Sequence, residues 1–212
     1  MSNLTKILLF LIFLSLIVIG IFIYSAQRQN PPNALYKGEE SAQVQNSATT
    51  SSDFLHDKNI YLIGTYFVNY DVDGDTIHAI DSTGKEDKIR FLVINTPEIH
   101  KDVNGKIISD RDICLGNISK KFTTENLLNH KVELWGDKTQ PKRDKYNRLL
   151  AYIRIIDNGA SSSVFFNDIL MQKGYAKVYK ASPPATYYEK YSQYQDQAKQ
   201  QNLVMWNTAL CN

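Results

Sequence analysis

Residues 59–98 read NIYLIGTYFVNYDVDGDTIHAIDSTGKEDKIRFLVINTPE. Three segments of this stretch, residues 59–72, 76–80 and 88–94, are rich in Tyr, Ile, Phe and Val, which favour β-strands. Residues 81–85 (DSTGK) are typical of a turn, so the second and third segments are expected to form a hairpin. This part of the chain therefore predicts at least three consecutive strands.

The remainder of the chain alternates helical and strand patterns. Apolar residues recur near helical spacing within residues 115–129, and residues 164–173 and 186–202 also look helical. Two further strands are predicted at residues 131–136 and 149–156. Five strands with three interspersed helices are compatible with a small barrel, although an α+β sandwich fits the spacing equally well.

The N-terminal segment differs in composition from the rest. Residues 7–24 contain no charge, and a helix of this length rises about 27 Å, close to the hydrocarbon thickness of a bilayer. Residues 1–25 are therefore expected to form an uncleaved signal anchor or a cleaved signal peptide. Residues 26–57 are polar and aperiodic, which predicts a flexible linker to a globular domain at residues 58–212. That domain is expected to be extracytoplasmic, either membrane-anchored or secreted.

Charge and length limit the classes of function. The chain has 212 residues and a formal net charge of +2. About 150 residues remain for the predicted domain, which is enough to bury one hydrophobic core. The small net charge argues against a strongly basic nucleic-acid coat, but it is compatible with a local basic cleft.

The first cluster with recognisable chemistry is DVDGDT at residues 71–76, at the bend between two predicted strands. Its three carboxylates repel one another unless a cation is present, and oxygen ligands suit calcium. Taken alone, the motif is more often a solvated acidic turn. An EF-hand loop is excluded, because the glycine comes too early and the twelfth position from Asp71 is Ser82 instead of Glu.

Two further clusters each contain an arginine. Arg90 lies inside an apolar strand, where its charge is costly to bury unless it is paired. Glu98 follows Pro97, which ends that strand because proline cannot donate to a ladder, so Glu98 is placed to point into a cleft. Arg148 follows residues 144–147 (DKYN) at the entry of another strand, and its planar fork matches phosphate oxygens bidentately. Each residue also has a structural explanation, an internal ion pair or a solvated loop.

In this order and spacing, the three clusters resemble the staphylococcal nuclease family. The pattern is DGDT at residues 73–76, then R-x5-TPE at residues 90–98, then DKYxRxLAY at residues 144–152. It continues with GYAKV at residues 174–178. The resemblance extends over about residues 60–207, which is essentially the whole predicted domain.

The resemblance implies a fold and an activity. The implied fold is a five-stranded OB-fold barrel with three α-helices, in the α+β class. The implied activity is that of a calcium-dependent nuclease that hydrolyses phosphodiester bonds of DNA and RNA with low sequence specificity. Cleavage would be endonucleolytic, would leave 3′-phosphates and would prefer unpaired strands. The implied cofactor is Ca²⁺, and the expected partners are DNA, RNA and, through the N-terminal helix, the membrane, with the protein itself a monomer.

The resemblance also implies a metal site. Asp75 would ligate calcium through its carboxylate, and Thr96 would ligate it through its backbone carbonyl. Asn95 stands where the family pattern has an aspartate that is a second metal ligand. An asparagine carbonyl can still bind calcium, but the loss of one negative charge predicts weaker binding or a changed metal preference.

The remaining site residues follow in the same way. Arg90 and Arg148 would grip the scissile phosphate, and Glu98 would act on the attacking water. The implied substrate-binding residues are Lys145, Tyr146 and Tyr179. None of the four histidines shows ligand spacing.

The two cysteines, Cys114 and Cys211, are expected to form a disulfide. Export would place them in an oxidising compartment, where pairing is favoured. Two unrelated free thiols are the alternative.

Two other functions fit the sequence less closely. The main alternative is a noncatalytic OB-type module that binds single-stranded nucleic acid, with Asn95 as a sign of lost metal chemistry. A membrane-tethered structural protein that binds calcium is the third possibility. Digestion of denatured DNA with and without calcium separates the enzyme from both alternatives.

Overall fold

The computed structural model describes residues 57–100, 102–103, 106–157, 160–161, 164–180 and 184–211. All of them belong to one of the chain's two compact units, residues 48–212. The predictions for residues 1–25 and, apart from Asp57, for residues 26–57 lie outside the described residues. Among the helices of the described part, none is both long and apolar enough to cross a membrane.

The described residues form ten strands, three α-helices and a short 3₁₀-helix. The strands are β1 (Ile60–Asp73), β2 (Thr76–Asp81), β3 (Glu86–Phe91), β4 (Ile94–Asn95), β5 (Asp102–Val103), β6 (Lys106–Ile107), β7 (Lys131–Asp137), β8 (Leu149–Asp157), β9 (Ala160–Ser161) and β10 (Lys177–Val178). The helices are α1 (Asp110–Leu127), α2 (Phe166–Gln172), α3 (Tyr188–Gln200) and the 3₁₀-helix Val204–Trp206.

Five of these strands form a closed ring in the order β3-β2-β1-β7-β8, with β8 also paired to β3. Neighbours in the ring are antiparallel except β3 and β8, which pair in parallel through residues 89–91 and 149–151. Closure satisfies the edges that an open sheet would leave free. The fold is therefore α+β, with a five-stranded ring and three helices, and the sandwich alternative is wrong.

Alternation along β3 positions the first arginine. Asp87, Ile89 and Phe91 are buried, whereas Arg90, between Ile89 and Phe91, keeps a small exposed fraction and lines a cleft. Successive side chains of a strand point to opposite faces, so the apolar residues at positions 89 and 91 enter the core and Arg90 faces away from it. The alternation of apolar and polar residues in β3 thus places two side chains in the core and the guanidinium of Arg90 in the cleft.

The single strand predicted for residues 88–94 is wrong at its C-terminal end. β3 ends at Phe91, and Val93 adopts a φ of 68°, a rare conformation for a β-branched residue. The Leu92 amide donates to Ala151 O, the Leu92 carbonyl accepts from Asn167 Nδ2, and the Val93 carbonyl accepts from Tyr179 N. These long-range hydrogen bonds hold the turn, and propensity at residues 92–93 could not reveal them.

α1 begins five residues earlier than the predicted helix at residues 115–129. Ser109 is the N-cap residue, and its hydroxyl accepts a hydrogen bond from the Asp112 amide at 3.1 Å. Asp110 and Asp112 lie in the first turn, where negative charge is favourable near the helix N-terminus. Ser109 and the two aspartates mark the start of the helix, and the prediction missed this start because it used apolar spacing alone.

The C-terminal segment is attached to the first turns of α1. A disulfide joins Cys114 to Cys211, with their Cα atoms 5.8 Å apart. Arg111 Nη2 donates to the carbonyls of Met205 at 3.3 Å and Asn207 at 3.0 Å. One covalent bond and two hydrogen bonds therefore hold the beginning of this helix against the end of the chain.

Candidate active site

One cleft of about 690 Å³ lies beside the ring. Residues from four separate parts of the sequence line it, among them Asp75, Arg90, Asn95, Glu98 and Arg148. The structure thus brings together the acidic bend, the two arginines and the glutamate that the sequence singled out. Thr96 is buried next to this wall.

The β1–β2 bend places two carboxylates in a poorly solvated corner of the cleft. Asp73 Oδ1 accepts a hydrogen bond from the Asp75 amide at 3.1 Å. Burial, together with the neighbouring Asp75 carboxylate, raises the pKa of Asp73 to about 7. Asp73 belonged to the predicted acidic cluster but was not assigned a role, and the structure places it in the same corner as Asp75.

Arg90 is fixed in the cleft by the residues predicted to bind metal. Its Nη1 lies 2.8 Å from Asp75 Oδ2, and its Nη2 donates to Asn95 Oδ1 at 2.7 Å. Nη1 also approaches the carbonyls of Asp75 at 3.3 Å and Phe91 at 3.4 Å. The internal ion pair that was the structural explanation for Arg90 is therefore present. Arg90 nevertheless also faces the cleft.

Asn95 and Thr96 complete a connected network around Asp75. The Thr96 amide donates to Asp75 Oδ2 at 2.7 Å, and Asn95 Nδ2 donates to the Thr96 carbonyl at 3.2 Å. The Asn95 amide thus uses its oxygen toward Arg90 and its nitrogen toward Thr96. An aspartate at this position would have no hydrogen to donate to that carbonyl.

In the loop before β8, Asp144 contacts both the backbone amide and the side chain of Arg148, the second arginine. Asp144 Oδ1 accepts from the amides of Tyr146 at 2.9 Å and Arg148 at 3.0 Å, and Asp144 Oδ2 accepts from Arg148 Nε at 2.7 Å. Partial burial acts to raise the pKa of Asp144, but these hydrogen bonds from Arg148 and Tyr146 hold it below its ordinary value. Contact through Nε orients the guanidinium and leaves its two Nη groups as a fork for an anion.

Asp144 is a site residue that sequence reasoning treated only as part of a motif. Its spacing to Tyr146 and Arg148 is typical of an aspartate that accepts from backbone amides two and four positions later. Arg143 attaches the same loop to the ring, since its Nη2 donates to Asp87 Oδ1 at 2.6 Å and its Nη1 to the Asn147 carbonyl at 2.9 Å. The loop is therefore preorganised from both sides.

Exposed aromatic and basic residues stand at the mouth of the cleft. Tyr146 and Tyr179 both line it and are 60% and 57% exposed. Lys145 Nζ lies 5.0 Å from the centre of the Tyr146 ring. Large aromatic rings held in water beside cations suit the stacking of unpaired bases and contact with a phosphate backbone.

The donor atoms in the acidic corner fit a hard cation. Within the described residues, no three His, Cys, Asp or Glu side chains are grouped closely enough to hold a metal by themselves. A site here would combine the carboxylates of Asp73 and Asp75 with the amide oxygen of Asn95 and the carbonyl of Thr96. These are all oxygen ligands, as calcium and magnesium prefer.

Fold and site together define a class. The molecule is a small α+β protein whose five-stranded ring presents two arginines and an acidic pair to one cleft. The family profile described as staphylococcal nuclease homologue matches residues 88–208, more than half of the chain. The chain belongs to the staphylococcal nuclease family, which confirms the resemblance seen in its motifs. The matched segment begins in β3, so the acidic bend precedes it.

Relatives in bacteria and archaea are about one-third identical to this chain over the aligned segments. An uncharacterised protein of Methanocaldococcus jannaschii is 33% identical over 184 residues, covering 77% of this chain and 86% of that protein. Endonuclease YncB of Bacillus subtilis is 31% identical over 156 residues, covering 72% and 66%. The thermonuclease of Staphylococcus hyicus is 32% identical over 148 residues, covering 68% and 76%.

Proposed function

We propose that this protein is a calcium-dependent nuclease that hydrolyses phosphodiester bonds of DNA and RNA with low sequence specificity. Cleavage would be endonucleolytic and would leave 3′-phosphates. The observation that carries the proposal is that Asp75, Arg90, Glu98 and Arg148 line a single cleft. Relatives named thermonuclease and endonuclease support it, as does the five-stranded ring, which we interpret as an OB-type barrel.

The two arginines have complementary parts in this proposal. Negative charge builds on the phosphoryl oxygens as water attacks, and preorganised cations lower the barrier by neutralising it. Arg90 is held by Asp75 and Asn95, and Arg148 is held by Asp144, so neither guanidinium has to be ordered when the substrate arrives. Removal of one such partner typically costs about 100-fold or more in rate.

Glu98 is the proposed general base. It lines the cleft directly after Pro97, and its carboxylate would accept a proton from the attacking water. Calcium would be held by Asp75, Asn95 and the Thr96 carbonyl, with Asp73 as a further carboxylate ligand from the same bend. When bound, it would supply a further positive charge to offset the charge on the phosphoryl oxygens. Asn95 brings no negative charge to this set, which predicts a weaker calcium site than one with aspartate at this position.

Substrate recognition would rely on the backbone and on base faces. Lys145 and Tyr146 are proposed to contact a phosphate, and Tyr179 to stack on a base at the mouth of the cleft. Contacts of these kinds carry little sequence information, and stacking requires bases that are not paired. Low specificity and a preference for single strands follow.

The domain organisation belongs to the same proposal. Residues 1–25 would act as a signal anchor or signal peptide, residues 26–57 as a linker and residues 58–212 as a nuclease domain outside the cytoplasm. The Cys114–Cys211 disulfide supports this location, because disulfides persist in oxidising compartments. The nuclease is proposed to act as a monomer.

The test is digestion of heat-denatured DNA by the full-length chain, with calcium or with a chelator. The expected result is cleavage that requires calcium and that falls by about 100-fold or more in Arg148→Ala and in Glu98→Gln. Binding without cleavage would instead support the noncatalytic single-strand-binding module. A protein that binds no oligonucleotide would point to the tethered structural role and contradict the proposal.

A further inference from the structure

Helix α1 contacts the loop that carries the acidic corner. Thr123 Oγ1 donates to the Gly74 carbonyl at 2.7 Å, and Lys120 Nζ donates to the Val72 carbonyl at 3.1 Å. Both acceptors are backbone atoms of the β1–β2 bend, between Asp71 and Asp75. The helix therefore fixes the backbone from which Asp73 and Asp75 project into the cleft.

The same face of α1 also supports the segment that carries Glu98. Gly116 precedes Thr123 by seven residues, or about two helical turns, so the two positions share a face. A β-carbon at position 116 would lie 2.3 Å from the Glu98 carbonyl oxygen, 2.7 Å from the Glu98 carbonyl carbon and 2.8 Å from the Pro97 oxygen. All three are main-chain atoms, so no flexible side chain could move aside.

Space, and not backbone conformation, accounts for the glycine. Gly116 is buried within a regular helix, and its φ is not in the left-handed region. Alanine is ordinarily the better helix former, so helix propensity alone would favour alanine at this position. The close approach of residues 97–98 is the feature that requires the missing side chain.

The beginning of α1 cannot readily retreat from that contact. The Cys114–Cys211 disulfide and the hydrogen bonds from Arg111 fasten these turns to the C-terminal segment. On the other side, Thr123 and Lys120 tie the helix to the β1–β2 bend. A group added at position 116 would therefore displace the Glu98 segment more than the helix.

We propose that Gly116 is a positioning residue for Glu98. Its lack of a side chain sets how closely the Glu98 backbone approaches α1, and hence where the carboxylate stands relative to the acidic corner that the same helix holds. The inference rests on the proposed hydrolytic function, in which Glu98 accepts a proton from water. It assigns a functional constraint to a buried glycine that contacts no substrate.

The predicted effect falls on the chemical step. In Gly116→Ala the Glu98 carbonyl would have to move by roughly 1 Å, and a misplacement of this size costs about 100-fold in rate. We expect kcat to fall by about 10- to 100-fold. KM should stay within about threefold, because Lys145, Tyr146 and Arg148 lie on a different loop.

Gly136→Ala is the control for a methyl group added at a buried glycine away from the cleft. Gly136 is a buried glycine of β7, and a β-carbon there would lie 2.4 Å from Tyr61 Cζ. It is not among the residues that line the cleft. With the full-length chain, denatured DNA and calcium, Gly136→Ala should keep the wild-type kcat and lower the melting temperature only slightly, because the partly exposed Tyr61 ring can turn aside. Equal loss of kcat in the two variants would show that Gly116 acts only through stability.

A double variant separates positioning from general damage. In a Glu98→Gln background no carboxylate remains to be misplaced, so Gly116→Ala should change the residual kcat by less than about twofold. A full additional loss in that background, or a wild-type kcat in Gly116→Ala, overturns the inference. An inactive wild-type protein would refute the proposed function and this inference with it. That result differs from failure of the inference alone, in which the wild-type protein is active.

A second perturbation covers the case in which Gly116→Ala fails to fold. Cys114→Ser combined with Cys211→Ser releases the same end of α1 without adding a side chain. Its kcat should fall by about three- to tenfold at unchanged KM, because the support behind Glu98 is loosened. An unaltered kcat in this variant would overturn the inference on its own.

Discussion

The two arginines of the cleft are held in different ways. Arg90 and Asp75 expose only 11% and 6% of their side chains, and the Arg90 contacts come from the β1–β2 bend, β3 and β4. Arg148 and Asp144 expose 25% and 17%, and they belong to the same five-residue loop segment. The difference indicates that Arg90 is part of the folded scaffold, whereas Arg148 is presented by a local unit that the scaffold carries.

The largest expected effect is that of Arg90→Ala on stability. Removal of one partner of a buried ion pair leaves the other charge uncompensated and costs about 3–5 kcal/mol. The free energy of unfolding, measured by urea denaturation, should fall by that amount, and cleavage should be lost. Combining it with Asp75→Asn should restore part of the stability. A stable, inactive Arg90→Ala protein would remove the contrast between the two arginines.

Arg148→Ala should produce the opposite profile. We expect the cleavage rate to fall by about 100-fold or more, because one preorganised cation is lost. The free energy of unfolding should change by no more than about 1 kcal/mol, because the ion pair with Asp144 is partly solvated. Initial rates on denatured DNA and urea denaturation measure the two quantities. Arg148→Lys tests the fork geometry and should restore little activity, and full recovery would contradict the bidentate role.

Asp144→Asn should disturb the loop without removing the arginine. We expect a rate about tenfold below wild type, because the guanidinium is less firmly oriented. Since the folded pKa of Asp144 is depressed, its stabilisation is present above the unfolded pKa and is lost as the pH falls through the folded value. Wild type should therefore lose more stability than Asp144→Asn on acidification below about pH 4, as urea denaturation at several pH values would show. Parallel pH profiles would argue against a charged tether.

Of these variants, Asn95→Asp should have the smallest effect, which should be a change in metal affinity. An added negative charge in the acidic corner should tighten calcium binding by roughly threefold to tenfold. Titration calorimetry without nucleic acid measures this directly, and Asn95→Ala provides the control for loss of the side-chain oxygen. An unchanged dissociation constant and metal preference in Asn95→Asp would contradict the interpretation of Asn95 as a weakened ligand.

Most of the fold could be predicted from local pattern. The five ring strands and three helices are where periodicity predicted them, with ends that differ by up to five residues. The parallel pairing of β3 with β8 was not readable, because it joins segments far apart in the sequence. The turn at Val93 was missed for the same reason, since its backbone partners lie at Ala151, Asn167 and Tyr179.

The sequence predicted which residues belong to the candidate site, but not which of them contact one another. The catalytic, metal-binding and substrate-binding residues that motif spacing identified all line the cleft except Thr96, and their roles remain predictions. The sequence could not show that Arg90 binds Asn95 and Asp75 together, or that Asp144 holds Arg148 through Nε. Nor could it show why position 116 is glycine, because the reason is a contact with Glu98 across the fold.

Ring closure has a consequence for the order in which the molecule assembles. The β1–β2–β3 meander can pair as soon as it has been synthesised, but β3 gains its second neighbour only when residues 149–151 are available. Until then the outer edge of β3 offers unpaired backbone groups, which favour association between chains. If the chain is exported as proposed, β1 to β3 would reach the extracytoplasmic side of the membrane before β8 does. The unpaired edge of β3 would be exposed there during that interval, so a chaperone or rapid translocation should improve the yield of folded protein.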